Sequence, residues 1–246
     1  MRPEISIIIP ARNEEKTLGS TLDSVLNAVR TWQHSIVDAT GRAEIIVVDN
    51  SSTDCTVQLL RHYRDQHGVV FDSLDQLGAA RARNHGRRLA NGRILVFLDS
   101  DTHMTQETLI RIWAHFEKSG IEAGITRLAS LNSGFRATIW WTFWEHVRRL
   151  PLPRAKAMPA LMFCTPTVFD EFGPFDENVA IGEEWPILAG LYRARPKQFV
   201  YDRTISALTS SRRMEQQVFG YTRTFVKYVW AILHRKGRIH YTDRIR

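Results

Sequence analysis

Two aspartates one residue apart, Asp99 and Asp101, follow directly on the apolar run Ile94-Leu95-Val96-Phe97-Leu98. Burying a carboxylate without a counter-charge is costly, so a pair at the mouth of a hydrophobic strand points to a bound cation. Hard divalent ions such as Mg²⁺ and Mn²⁺ take oxygen ligands, keep several waters and complete their shell with phosphate. Two protein carboxylates leave room for that, and the arrangement suits a nucleotide diphosphate. Taken alone, Asp-x-Asp is more often the turn and helix N-cap that follow a strand. Here two further loops carry groups of the same kind: Pro10-Ala11-Arg12-Asn13-Glu14 and Asp49-Asn50-Ser51-Ser52-Thr53-Asp54. The three loops together offer an acceptor for a base N–H, a cation for phosphate and a pair of metal ligands.

Such loops work only if a scaffold brings them to one place. Residues 5–9 form a nearly continuous apolar strand, and residues 14–31 carry Leu18, Leu22, Val25, Leu26 and Val29 at helical spacing. Residues 44–48 repeat the strand pattern, 54–65 the helical one, 69–71 a short strand, 79–90 a third helix and 94–98 a fourth strand. Strands alternating with helices predict an α/β fold on a mostly parallel sheet with right-handed crossovers. Ligands of such sheets sit beyond the carboxyl ends of the strands, where all three loops fall.

Composition narrows the classes. With 246 residues, 43% of them hydrophobic and 10% aromatic, the chain can bury the core of one large domain. Cys55 and Cys164 lie far apart and without metal-type spacing, which argues against a disulfide framework or a zinc site and makes a reducing cytosol the natural setting. The N-terminal apolar run is too short for a signal peptide, and no run approaches the roughly 18 apolar residues of a membrane span. The expectation is a cytoplasmic protein, soluble or peripheral. The net charge of +7 is uneven: residues 212–246 hold nine Lys/Arg and two Asp/Glu, an excess equal to that of the whole chain. Nucleic acid, anionic lipid, an anionic substrate or plain solvation can each account for a basic tail. Nucleic acid ranks low, because no zinc-finger, RNA-binding or helix-turn-helix signature accompanies the tail.

The motifs taken together resemble the family 2 glycosyltransferases, inverting enzymes of the glycosyltransferase-A (GT-A) fold. The resemblance rests on residues 7–14, 45–54, Gly78-Ala79-Ala80-Arg81-Ala82-Arg83-Asn84-His85-Gly86, Ala90-Asn91-Gly92 and 97–102, in the right order and spacing. It implies a nucleotide-diphosphate sugar as donor, a UDP-sugar first among the candidates. By the same resemblance Pro10, Ala11, Arg12 and Glu14 line the nucleoside pocket, Asp49 accepts the base N–H and Arg83 reaches the nucleotide. Asp99 lies near the ribose and metal, and Asp101 ligates the divalent cation, Mg²⁺ or Mn²⁺. Two departures stand out. The second loop has Asn50 and Ser51 where the family's commoner form reads Asp-Gly, and Thr102 stands where a further Asp is common.

The second half is expected to hold the acceptor site and the base. Residues 169–177 resemble the segment before the family's base, and Gly182-Glu183-Glu184-Trp185 stands where Gly-Glu-Asp is usual, making Glu184 the candidate general base and Glu183 its alternate. Both acids also suit the first turn of a helix running to Tyr192. The aromatic patch Phe135, Trp140, Trp141, Phe143 and Trp144 reads first as core packing and second as a sugar or lipid contact. Residues 150–154 read as a loop able to order over the donor, Cys164 as buried filler and His103 as a turn residue. Residues 215–233 form an amphipathic helix, either docked on the core or set on an anionic membrane surface, while Arg212 and Arg213 are placed to fold back on the diphosphate. The expected organisation is a GT-A domain over 1–211, with a nucleotide and metal half (1–105) and an acceptor half (106–211), then a basic helix and tail over 212–246. The acceptor is a glycan, a lipid-linked molecule or a small molecule. A retaining GT-A transferase and a non-catalytic nucleotide-sugar-binding module are the rival readings. A dinucleotide oxidoreductase is excluded by the lack of Gly-x-Gly-x-x-Gly after the first strand.

Overall fold

The computed structural model describes residues 2–36, 42–131, 134–154, 159–179, 181–215 and 219–233. The first half alternates as expected: β1 (Ile5–Ala11), α1 (Leu18–Ser35), β2 (Ala43–Asp49), α2 (Thr56–His67), β3 (Val70–Ser73), α3 (Ala79–Leu89) and β4 (Ile94–Leu98). The second half comprises β5 (Thr102–His103), α4 (Thr108–Lys118), β6 (Ala123–Ser130), α5 (Phe135–Arg149), β7 (Leu161–Cys164), α6 (Pro166–Phe172), α7 (Trp185–Ala194), β8 (Phe199–Thr209), α8 (Arg212–Glu215) and α9 (Gly220–Leu233). The strands form one eight-stranded sheet in the order β3-β2-β1-β4-β7-β6-β8-β5. β1 pairs in parallel with β2 and β4, and β2 with β3. Beyond β4 the sheet is mixed: β7 runs antiparallel to β4 and β6, β8 parallel to β6 and antiparallel to β5.

Every residue of β1 and β4 is buried, which is why their sequences read as unbroken apolar runs: helices cover both faces. Successive side chains of a strand point to opposite faces. Ile5, Ile7 and Ile9 meet Leu18, Leu22, Val25 and Trp32 of α1 and Leu109 and Ile112 of α4. Ile8 meets Ala80 and Ala82 of α3 and Ile187, Leu188 and Leu191 of α7. α3 lies so close to β1 that a Cβ on Gly86 would stand 2.4 Å from Ile8 Cγ2. A third cluster joins α5 and α9 through Trp140 and Trp144, with Tyr221 and Tyr228 packed on them.

α2 and β3 begin within two residues of their expected starts, and two larger differences stand out. The first helix starts at Leu18, four residues later than expected, because Asn13 takes a left-handed φ of 53° and Glu14 is held in the loop by bonds from its backbone and side chain. The expected helix over 215–233 appears as α8 and α9; Val218 and His234, which belong to that expectation, lie outside the described residues. No helix among the described residues is long and apolar enough to cross a membrane.

Candidate active site

The carboxyl ends of β1, β2 and β4 open on a cleft of about 400 Å³ lined by Pro10, Ala11, Arg12, Glu14, Arg83, Asp99, Asp101, Glu183 and Arg212. Eight residues expected at the donor or metal site thus share one cleft with Glu183, the alternate base, although they come from segments as far apart as Pro10 and Arg212. Asp49 lies behind this lining. Its Oδ2 accepts from the Ser52 N–H at 3.4 Å, and its buried Oδ1 has no hydrogen-bond partner among the described residues. Arg12 is exposed at the lip. Arg213 follows Arg212 in α8, but its side chain lies outside the described residues.

Asparagines fix the loops that carry these groups. Asn13 accepts from the Thr53 N–H at 2.8 Å and donates its own backbone N–H to Ser52 Oγ at 3.0 Å, tying the first loop to the second. Asn50 donates to the Gln76 carbonyl and accepts from the Gly78 N–H, each at 2.7 Å, and so sets the start of α3. An aspartate at 50, the commoner family residue, lacks the N–H needed for the first of these bonds. Asn84 accepts from the Phe175 N–H at 3.0 Å and donates to Glu177 at 2.8 Å, holding the segment before Glu183 against α3. Sequence reading quoted Asn13, Asn50 and Asn84 within motifs but gave none of them this role.

Arg83 stands at the centre. It reaches Asp99 Oδ1 at 2.5 Å and Glu183 Oε1 at 2.8 Å, joining the loop after β4 to the start of α7. Burial works against its charge, but Asp99, Glu183 and Glu184 outweigh that and hold its pKa above the ordinary arginine value. Asp101 lines this cleft and also the adjoining cavity. Thr102, by contrast, is fully buried within β5 opposite Thr209 and takes no part in either lining, so the missing third aspartate removes no group from the cleft. His103 also turns away, with its ring 3.0 Å from Ser20 Oγ of α1.

A divalent cation fits the residues present. Asp99 and Asp101 are both hard oxygen donors on one cleft, and no cluster of three or more His, Cys, Asp or Glu forms a closed metal cage among the described residues. An open two-carboxylate site is the kind that phosphate and water complete.

The adjoining cavity, about 250 Å³, has Glu183 and Glu184 on one side and Trp140, Trp141 and Trp144 of α5 with Tyr228 of α9 on the other. The aromatic patch therefore divides: the tryptophans wall the cavity, while Phe135 and Phe143 are exposed. Glu184 sits at the N-cap of α7, with Glu183 before it. Its carboxyl pKa is raised well above the ordinary value, by burial first and by the Glu183 charge second, against the lowering effect of its own backbone N–H and of Arg83. Arg148, 2% exposed, also faces the cavity. Sequence reading missed it, although Trp140, Trp144 and Arg148 recur every four residues and so share one helix face. Arg154 lies over the Trp185 ring at 5.1 Å, which puts the end of the 150–154 loop beside the start of α7.

The fold is of the GT-A type. A model of the family described as Glycosyl transferase family 2 matches residues 6–169, and the chain belongs to that family. It is 28% identical over 189 residues to glycosyltransferase AglE of Haloferax volcanii, covering 73% of this chain and 58% of that protein. It is 31% identical over 118 residues to a poly(ribitol-phosphate) beta-glucosyltransferase of Bacillus spizizenii, covering 47% of this chain and 17% of that protein. The chain thus spans between about a sixth and three fifths of these relatives' lengths. Among solved structures, the mannosyltransferase PcManGT of Pyrobaculum calidifontis, in complex with GDP-Man and Mn²⁺, superposes with a TM-score of 0.64 at 18% identity, covering 96% of this chain and 66% of that one. TarS 1–349 of S. aureus, in complex with UDP-GlcNAc, gives 0.63 at 19% identity, covering 93% and 67%.

Proposed function

We propose that the protein transfers a sugar from a nucleotide-diphosphate sugar, UDP-linked first among the candidates, to an acceptor hydroxyl with inversion at the anomeric carbon. The observation that carries this is the Arg83 bridge between Asp99 and Glu183, which sets a phosphate-and-metal cleft beside a cavity holding Glu184. The buried Oδ1 of Asp49, without a hydrogen-bond partner among the described residues, accepts the base N–H, while Arg12, Arg83 and Arg212 face the diphosphate. Asp101 and Asp99 hold a divalent cation, Mg²⁺ or Mn²⁺, which when bound offsets the charge that develops on the leaving diphosphate. The acceptor oxygen forms its bond to the anomeric carbon as the bond to the diphosphate oxygen breaks, and Glu184 takes the acceptor proton. Glu183, already paired with Arg83, is the lesser candidate for that role. A raised pKa suits a base that works near neutrality.

The acceptor, a glycan, a lipid-linked molecule or a small molecule, enters on the tryptophan side. The same reading assigns the transferase to residues 1–211 and a basic helix and tail to 212–246, in a cytoplasmic enzyme whose C-terminal helix meets an anionic membrane surface. Support for the division comes from the strands, which among the described residues fall between Ile5 and Thr209.

Glu184→Gln keeps shape and hydrogen bonding but accepts no proton, so transfer falls by about 10² or more while donor affinity holds. Glu183→Gln costs less, and chelation of divalent ions stops transfer by the parent. Near-parental transfer by Glu184→Gln, or a product that keeps the donor's anomeric configuration, overturns the mechanism. Donor binding with no transfer to any of a panel of sugar, lipid-linked and small-molecule acceptors favours the non-catalytic reading.

A further inference from the structure

The large apolar side chains left exposed are concentrated on one side of the molecule. Of eleven among the described residues, α5 and the turn after it supply five, from Phe135 to Leu152, and residues 219–230 supply four. Single exposed apolar groups are ordinary, but a contiguous set marks a contact surface. This set is contiguous, because α5 and α9 lie ring to ring: Phe143–Phe225 at 5.7 Å and Trp144–Tyr228 at 5.3 Å between centroids.

Charge indicates what the surface meets. Within residues 134–154 and 219–233 the sequence contains one carboxylate, Glu145, which is buried, whereas Arg136, Arg149, Arg223 and Lys227 are exposed. An apolar face flanked by four exposed cations, with the exposed Glu215 alone among anions at its edge, where it accepts from the Tyr221 hydroxyl at 3.3 Å, complements an anionic bilayer, whose head groups take the cations and whose acyl boundary takes the rings and aliphatic chains. A second copy of the same face would set like charges against each other, and nucleic acid would leave the apolar rows uncovered.

We propose that α5 and α9 together form a docking face for an anionic lipid bilayer. This deepens the membrane contact assigned above to the C-terminal helix: of the nine exposed apolar residues, α5 supplies three and the turn after it two, far from the basic tail in sequence. The inward sides of the same helices present Trp140, Trp144 and Tyr228 to the cavity that holds Glu184, so the bilayer lies beside the acceptor side of the site.

The test is co-sedimentation of the full chain with phosphatidylcholine vesicles and with vesicles of equal parts phosphatidylcholine and phosphatidylglycerol. The parent binds the anionic vesicles, and added salt weakens that binding. Phe135→Ser/Ile139→Ser keeps every charge and changes two of the most exposed groups of α5; it lowers binding about tenfold or more, because the inserted apolar groups supply the hydrophobic part of the binding. Phe219→Ser/Val226→Ser does the same from the other helix. If circular dichroism shows the α5 double variant unfolded, Ile139→Ser alone is read in its place. No binding of the parent to anionic vesicles at low salt overturns the proposal. So does parental binding by the folded α5 variant, which would leave the contact to the tail. Self-association of the parent that the α5 variant abolishes, without vesicle binding, assigns the face to a protein contact and overturns it too. UDP affinity, measured without lipid, separates the two readings: a parent that binds vesicles but not UDP supports the docking face and counts against the donor assignment.

Discussion

Glu184 shows a conflict between stability and function within one side chain. Burial and the Glu183 charge raise its pKa above the ordinary 4.5, so the folded protein prefers the protonated acid. At pH values above the raised pKa the ionised form costs folding stability, and below 4.5 the acid is protonated in folded and unfolded chains alike, so that cost vanishes. Glu184→Gln should therefore melt higher than the parent at pH 8, with the gap closing as the pH falls towards 4.5. A gap that stays constant over that range, or widens towards acid, would show that the carboxylate is not strained by its surroundings. Site residues that destabilise the fold are a usual cost of activity. The same carboxyl was legible as a candidate base from its place after Gly182, yet its environment was not, because the walls that desolvate it come from α5 and α9, which reach it only through tertiary packing.

At the scale of elements, what the sequence revealed depended on burial on both faces. β1, β2 and β4 are apolar throughout or nearly so, and each was readable with the loop at its carboxyl end. β6 and β8 were not anticipated. β6 reads Ala-Gly-Ile-Thr-Arg-Leu-Ala-Ser, with an exposed Arg127 beside a register shift, and its pairing with β8 joins segments about 75 residues apart. No short window carries that information. The entry to α7 was read as a motif, and the backbone gives its reason. Gly182 has φ +84°, and a Cβ there would stand 2.5 Å from the Trp185 ring. Gly182→Ala should cost about 1–2 kcal/mol from the backbone alone, before the ring is displaced. Since the shift moves Glu183 and Glu184 together, transfer should fall further than the change in melting temperature accounts for. Parental stability together with parental transfer would show that this turn does not position the acids.

For the whole molecule, one continuous sheet serves both halves of the site, and the loop after β1 meets α8 over the cleft. Arg212 reaches Glu14 Oε2 at 3.1 Å, and Trp141 steadies that approach by donating to Ser211 Oγ at 3.0 Å. If the Arg212 guanidinium also contacts the diphosphate, Arg212→Ala should weaken UDP binding about tenfold, equivalent to about 1.4 kcal/mol, while changing uridine binding little. The ratio of the two affinities is the readout, because a general loss of folded protein would lower both alike. An unchanged ratio would leave Arg212 as a tie between α8 and the loop after β1 and nothing more.

That tie has a consequence for biosynthesis. Glu14 and Arg212 are separated by 198 positions, so at about 5–20 residues per second a ribosome needs roughly 10–40 s after making the first to deliver the second. The parallel half can settle during that interval, with its nucleotide loops in place and the cleft still open. Nascent chains released short of Arg212 should thus fold their first four strands and still hold UDP more weakly than chains that include it, so that tight donor capture waits for that arginine to emerge.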